Sequence, residues 1–184
     1  MLLERCQPGT SLRTIPEAEQ DVIIAGLLRR LWRSPTMPHS FRPLSALMRF
    51  WGDESLTGIK NWRDPGLAHE GLRLFEELPR TAAKKVLLAT DLHAGNVLRS
   101  MRAPWLVIDP KPFIGDPAYD VTQHLLNCPE RLRSDPVGLI RRMGDLVEVD
   151  HERLRLWTFA RVAVDPPEKG SYEVWMAIAR ATAP

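Results

Sequence analysis

The chain has 184 residues, the size of one ordinary domain, with 44% apolar and 26% charged residues; that balance excludes global disorder and lets a core close without disulfide or metal staples. Twenty-five Lys and Arg against 23 Asp and Glu leave a net charge of +2, too little to build the basic field that nucleic acid or an anionic membrane surface requires. Cys6 and Cys128 lack CxxC spacing and read as free thiols in a reducing compartment.

Residues 1–6 bring an acid, Glu4, where an export signal would place a basic and then an apolar stretch, so no leader and a cytoplasmic address are expected. Pro16 followed by Glu17, Glu19 and Asp21 predicts a helix start, with Ile23, Leu27, Leu31 and Ile24, Leu28, Trp32 as its apolar rows and a stop near Pro35. Its apolar run, residues 22–28, is far shorter than the ~20 residues of a membrane span. Residues 44–62 predict a second helix, weakened by Gly52 and Gly58. Asp64 and Pro65 read as N-cap and first residue of a third, with Leu67, Gly71, Leu74 and Leu78 on one row, ended by Pro79.

The pattern then changes. Residues 86–89, 96–98 and 105–108 are short apolar runs between polar or Gly/Pro turns, which predicts two or three short strands of one small sheet. Helices resume over 118–127, 136–149, 150–164 with Asp150 as N-cap, and 169–182. The expected fold is a helix-rich α+β domain with a small central sheet or hairpin. Trp32, Trp62, Trp105 and Trp157 fall on apolar patterns and are expected in the core, whereas Trp51 and Trp175 are unassigned.

Polar residues gather where these strands end. Asp91, His93 and Asn96 lie between the first strand and the second, and Asp109 ends the third. Two carboxylates and a carboxamide on adjacent loops can hold a hard cation through oxygen and leave one carboxylate to take a proton. Phosphoryl transfer needs that set: a base for the acceptor hydroxyl, and an Asn and an Asp holding magnesium against nucleotide phosphates. Asp91, Asn96 and Asp109 fit those three roles. His93 is expected to brace the loop through its ring nitrogens.

The segments V-L-L-A-T-D-L-H-A-G-N-V-L at 86–98, I-D-P-K-P at 108–112 and G-D-P-A-Y-D at 115–120 resemble the aminoglycoside and hydroxyurea phosphotransferases, especially the streptomycin kinase branch. Ala89 and Thr90 depart from the wider superfamily, where many relatives carry His-Gly. The resemblance implies the C-terminal lobe of a protein-kinase-like fold that uses ATP and Mg2+. It makes Asp91 the catalytic base, Asn96 and Asp109 metal ligands, and Asp116 and Asp120 braces of the loop from the following helix. Residues 1–10 resemble the interlobe hinge, placing Glu4, Cys6, Leu98 and Ile108 toward adenine, with 11–184 as the catalytic lobe. No Gly-rich loop or phosphate-gripping lysine precedes Asp91, so the N-terminal nucleotide lobe is expected to be absent and this chain alone to have little activity. A homodimer through the face left open around Leu2, Leu3, Leu98 and Ile108 is expected to be possible. The implied partner is a small alcohol, aminoglycoside-like or hydroxyurea, with no nucleic acid and no membrane.

Two other readings stay open: a metal-dependent hydrolase built on Asp91, His93, Asp109 and Asp116, and a catalytically incompetent remnant or interaction module. Asp145, Glu148, Asp150, Glu152, Glu168 and Glu173 could receive a cationic substrate or simply form solvated faces.

Overall fold

The computed structural model describes residues 5–58, 64–164 and 172–184; the expectations for Leu2, Leu3, Glu4, Trp62 and Glu168 lie outside them. Helix α1 (Glu17–Leu31) follows Pro16, as its acids and proline predict. Helices α2 (Leu44–Thr57) and α3 (Pro65–Arg80) come next, the second capped by Asp64, whose carboxylate accepts the Leu67 amide. Pro79 lies inside α3 and does not end it; the helix runs one residue further to Arg80, where the Thr81 amide closes it on the Glu77 carbonyl at 3.1 Å. Gly71 is required: a Cβ there would sit 2.7 Å from Val164 Cγ2, so its absence lets α3 press against α7 (His151–Val164). The remaining helices are α4 (Pro117–Leu126), α5 (Pro129–Ser134), α6 (Pro136–Val147) and α8 (Tyr172–Thr182). Asp150 precedes helix α7, and its carboxylate accepts the Arg153 amide at 2.8 Å. No helix among the described residues is long and apolar enough to cross a membrane.

Among the described residues six short strands replace the two or three expected, and they form two sheets where one was expected. In the first, β4 (Val97–Ser100) lies between β1 (Pro8–Ser11) and β5 (Leu106–Val107), antiparallel to both. In the second, β6 (Phe113–Gly115) pairs in parallel with β2 (Arg42–Pro43) and antiparallel with β3 (Val86–Leu88). Apolar runs mark strands but not their partners, and β1, β2 and β6 are too short or too exposed to carry such a run.

The core joins both sheets to the helices. Tyr119 and Trp157 meet edge to face with ring centres 5.2 Å apart, both fully buried. Trp32, Trp51 and Trp105 pack partly buried against this core, and Trp175 lies within it. Both cysteines are free; burial pushes the Cys128 thiol up to about 12 and keeps it protonated. Leu98 and Ile108 are half-buried, Leu98 paired with Leu106 across the sheet; Leu2 and Leu3, the rest of the expected apolar face, lie outside the described residues. The most exposed large apolar side chains among the described residues are Met101 and Met37. Asp145, Glu148, Asp150, Glu152 and Glu173 are exposed.

A buried ion cluster ties α1 to the later helices. Asp21 accepts from His124 at 2.9 Å, from Arg131 at 2.8 and 3.1 Å, and from Arg142 at 2.9 Å. Burial alone would push its carboxyl up, but these partners outweigh it and hold the group well below the usual carboxylate range. A carboxylate so depressed stabilises the fold fully above the ordinary Asp value of about 3.9, and the contribution is lost as pH falls from there toward the native value. Asp21→Asn is therefore expected to be less stable by about 3 kcal/mol at neutral pH, the low end for a broken buried pair because the arginines stay partly hydrated. Urea unfolding should show the gap closing below about pH 4; a gap independent of pH would show that the charge is not what stabilises.

Candidate functional site

Strand β3 delivers the chain to Ala89, Thr90 and Asp91 on a turn held from below by Asp120 of α4. The fully buried Asp120 carboxylate accepts the Ala89 amide at 3.0 Å, the Thr90 amide at 2.7 Å and the Trp32 indole N–H at 3.0 Å. Burial pushes its carboxyl upward, and those three donors oppose the shift. Thr90 sits at φ 55°, the left-handed region where a β-branched residue is strained. Its hydroxyl donates to the Lys111 carbonyl, and the Lys111 amide donates to the Ala89 carbonyl at 2.9 Å, so the segment after β5 is tied to the turn.

Asp91, half-buried, takes a separate donor on each oxygen: Gln123 Nε2 on Oδ1 at 2.8 Å and Lys111 Nζ on Oδ2 at 2.5 Å. The hydrogen bond to Asp91, helped by the charges of Asp91 and Asp109, holds the Lys111 ammonium above the usual lysine value against the opposing effect of desolvation. His93 Nε2 lies 4.0 Å from Asp91 Oδ1, while its Nδ1 accepts the Gly95 amide at 3.0 Å, closing the short turn Ala94–Asn96. Gly95 is needed there, because a Cβ would fall 2.7 Å from the His93 ring and 2.8 Å from Arg13 Nε. Ser11 at the end of β1 donates to the Ala94 carbonyl at 3.1 Å, steadying the turn from the other sheet.

Asn96 donates through Nδ2 to the Asp91 carbonyl at 2.9 Å, leaving its carbonyl oxygen as a ligand. Asp109, exposed at φ 50°, follows β5, where the Ile108 amide donates to the Asn96 carbonyl at 2.9 Å. The structure thus brings Asp91, Asn96 and Asp109 into one loop cluster, though from two sheets and not one. A carboxylate and an amide oxygen suit a hard cation that takes its other ligands from water and phosphate, as magnesium does. Among the described residues no group of three or more His, Cys, Asp or Glu could hold a metal by itself.

Asp116 departs from expectation. It caps α4 through the Ala118 amide, and its other oxygen binds Arg153 at 2.5 Å and the Trp157 indole at 2.6 Å, joining α4 to α7, so that of the two acids expected to brace the loop only Asp120 does so. This removes Asp116 from the hydrolase set as well. Cys6 is half-buried just ahead of β1.

Three residues join the site that sequence reasoning does not single out. Lys111 lies inside a segment that resembles the family yet has no role assigned by that resemblance; Gln123 is one turn beyond Asp120 on the same helix. Arg161 interrupts the apolar run Phe159, Ala160, Val162, Ala163, an anomaly that is a usable mark. With Trp51, Phe113, Lys111 and Gln123 it lines a cavity of about 150 Å³ in front of Asp91. A larger cleft of about 840 Å³, reached past Arg13 and His93, lies on the other side of Gln123 and Arg161.

Removing the Asp120 carboxylate leaves three donors without their acceptor. Asp120→Ala is expected to lose about 3 kcal/mol and to release the Ala89 and Thr90 amides to fast hydrogen exchange. Unchanged protection at those two amides would show that another group holds the turn.

The family model for aminoglycoside/hydroxyurea antibiotic resistance kinases matches residues 1–166. Streptomycin 6-kinase of Streptomyces griseus is 33% identical over 175 residues, covering 88% of this chain and 55% of the relative. Hydroxyurea phosphotransferase of Kitasatospora aureofaciens is 32% identical over 168 residues, covering 88% of this chain and 48% of the relative. The chain therefore spans about half the length of the curated relatives it matches. Among solved structures, choline kinase LicA from Streptococcus pneumoniae superposes with a TM-score of 0.64 at 13% identity, over 98% of this chain and 62% of that one, which places the fold with the protein-kinase-like kinases. On the match across residues 1–166, the chain belongs to the aminoglycoside/hydroxyurea antibiotic resistance kinase family.

Proposed function

We propose that this chain forms the base-bearing and metal-bearing lobe of an ATP-dependent phosphotransferase acting on a hydroxyl of a small molecule. The observation that carries the reading is the cluster of Asp91, Asn96 and Asp109 at the loop ends of a family member. Asp91 accepts the acceptor hydroxyl's proton as the oxygen attacks the γ-phosphoryl group, and its two donors keep the carboxylate aimed. Asn96 and Asp109 would hold magnesium, which when bound neutralises charge on the nucleotide phosphates. Lys111 places a cation beside both carboxylates. Cys6, Leu98 and Ile108, with Glu4 outside the described residues, form the adenine side of the proposal. One fold neighbour was solved with AMP, which supports an adenine nucleotide.

Streptomycin and hydroxyurea, named for the relatives, are the acceptor classes to try first. Phosphoryl transfer is mostly positioning and charge stabilisation. The phosphate-gripping loop and lysine that these 184 residues do not carry ahead of Asp91 are proposed to come from further chain in the active enzyme, and residues 1–184 alone should turn over poorly.

With labelled ATP, Mg2+ and either acceptor, Asp91→Asn in the active enzyme is expected to lower turnover by about 10²–10⁴-fold and leave nucleotide binding nearly unchanged. Asp109→Ala should weaken Mg-nucleotide binding as well. Wild-type turnover in Asp91→Asn would falsify the assignment of the base.

A further inference from the structure

We propose that Arg161 and Gln123 form a one-way positioning relay that sets the orientation of the Asp91 carboxylate; the kinetic consequence rests on Asp91 being the base. Arg161 Nη1 donates to Gln123 Oε1 at 3.2 Å, and Gln123 Nε2 donates to Asp91 Oδ1 at 2.8 Å. A guanidinium can only donate and an ionised carboxylate can only accept. An amide placed between them has one workable orientation, because the flipped amide would set donor against donor and acceptor against acceptor. Arg161 thus decides which end of Gln123 meets Asp91.

The relay is anchored in the body of the lobe. Arg161 is 5% exposed, and its guanidinium carbon lies 4.7 Å from the ring centre of Trp51 and 5.3 Å from that of Tyr119. The same Nη1 is shared with the Tyr119 hydroxyl and Thr122 Oγ1, each at 3.3 Å. These contacts leave the planar group little freedom, and a lysine could reproduce neither its plane nor its stacking. By contrast, the Lys111 side chain that holds the other Asp91 oxygen is 59% exposed. Of the two donors on Asp91, only Gln123 is backed by buried structure. Arg161 and Gln123 also wall the cavity in front of Asp91, so the fixed oxygen borders the space an acceptor would enter. Arg161 acts through Gln123 and is a positioning residue.

Two readouts test this. In amide NMR of residues 1–184, the Gln123 side-chain NH2 signals, assigned by their loss in Gln123→Leu, should be dispersed in the wild type and collapse toward free-glutamine positions in Arg161→Met and Asp91→Ala alike. Signals that do not move in Arg161→Met overturn the relay, whatever the enzyme does. In the active kinase, Gln123→Leu and Arg161→Met should each cut kcat by about 10–10²-fold with KM for ATP within about twofold. The double variant should be no worse than either single one. Additive losses, or losses appearing equally in KM, indicate separate structural roles and overturn it. If Arg161→Met does not fold, Gln123→Leu and Arg161→Lys carry the test, and Arg161→Lys is expected to stay impaired despite its charge. Wild-type kcat in the relay variants beside an inactive Asp91→Asn would reject the relay and keep the base. Normal turnover in Asp91→Asn would reject the base, and the NMR result would decide the relay.

Discussion

Asp120 is a fully buried carboxylate whose position depends on three N–H groups aimed at it, and the loop cluster depends on Asp120 in turn. Two of those donors are consecutive backbone amides, which lets one side chain hold Thr90 in a left-handed conformation it would not choose alone. Asp91 is the next residue, so its direction is set where the strain is held. The third donor comes from Trp32 at the end of α1, and α1 is itself bound to α4, α5 and α6 through Asp21 and its partners. Helix α1 thus joins two polar clusters, one in the helical body around Asp21 and one beneath the turn around Asp120.

The two oxygens of Asp91 are held from different depths of the lobe. They are held by unlike groups: a neutral amide fixed by a buried guanidinium that stacks on Trp51, and an ammonium at the surface. The first is anchored by the buried Arg161 guanidinium; the second adds a cation on the side where Asp109 also lies.

Much of this architecture is legible in the amino-acid sequence. Asp64 and Asp150 announce helix starts because a cap needs only local sequence, and Asp91, Asn96 and Asp109 stand out because polar residues crowd the ends of apolar runs. What the sequence hides is long-range. The pairing of β3 with β6 rather than with β4, the turning of Asp116 toward Arg153 and Trp157, and the meeting of Gln123 with Asp91 join residues from about 30 to 40 positions apart, or strands with no apolar signature. Asp21 reads locally as a partner of the helix dipole, since nothing in its neighbourhood marks it as the acceptor for residues more than 100 positions away.

The two small sheets have a consequence for how this lobe tolerates change. The proposed base hangs from β3 and the proposed metal carboxylate from β5, and no strand is shared between their sheets. Their separation is kept by the crossing of residues 108–111 over the turn, through a few hydrogen bonds between main-chain groups and one threonine hydroxyl. A substitution that shifts one sheet slightly could leave melting behaviour intact and still detune the site. Sequence drift in β6 or β4 would then register first as lost alignment, and the family's chemistry would be more fragile than its fold.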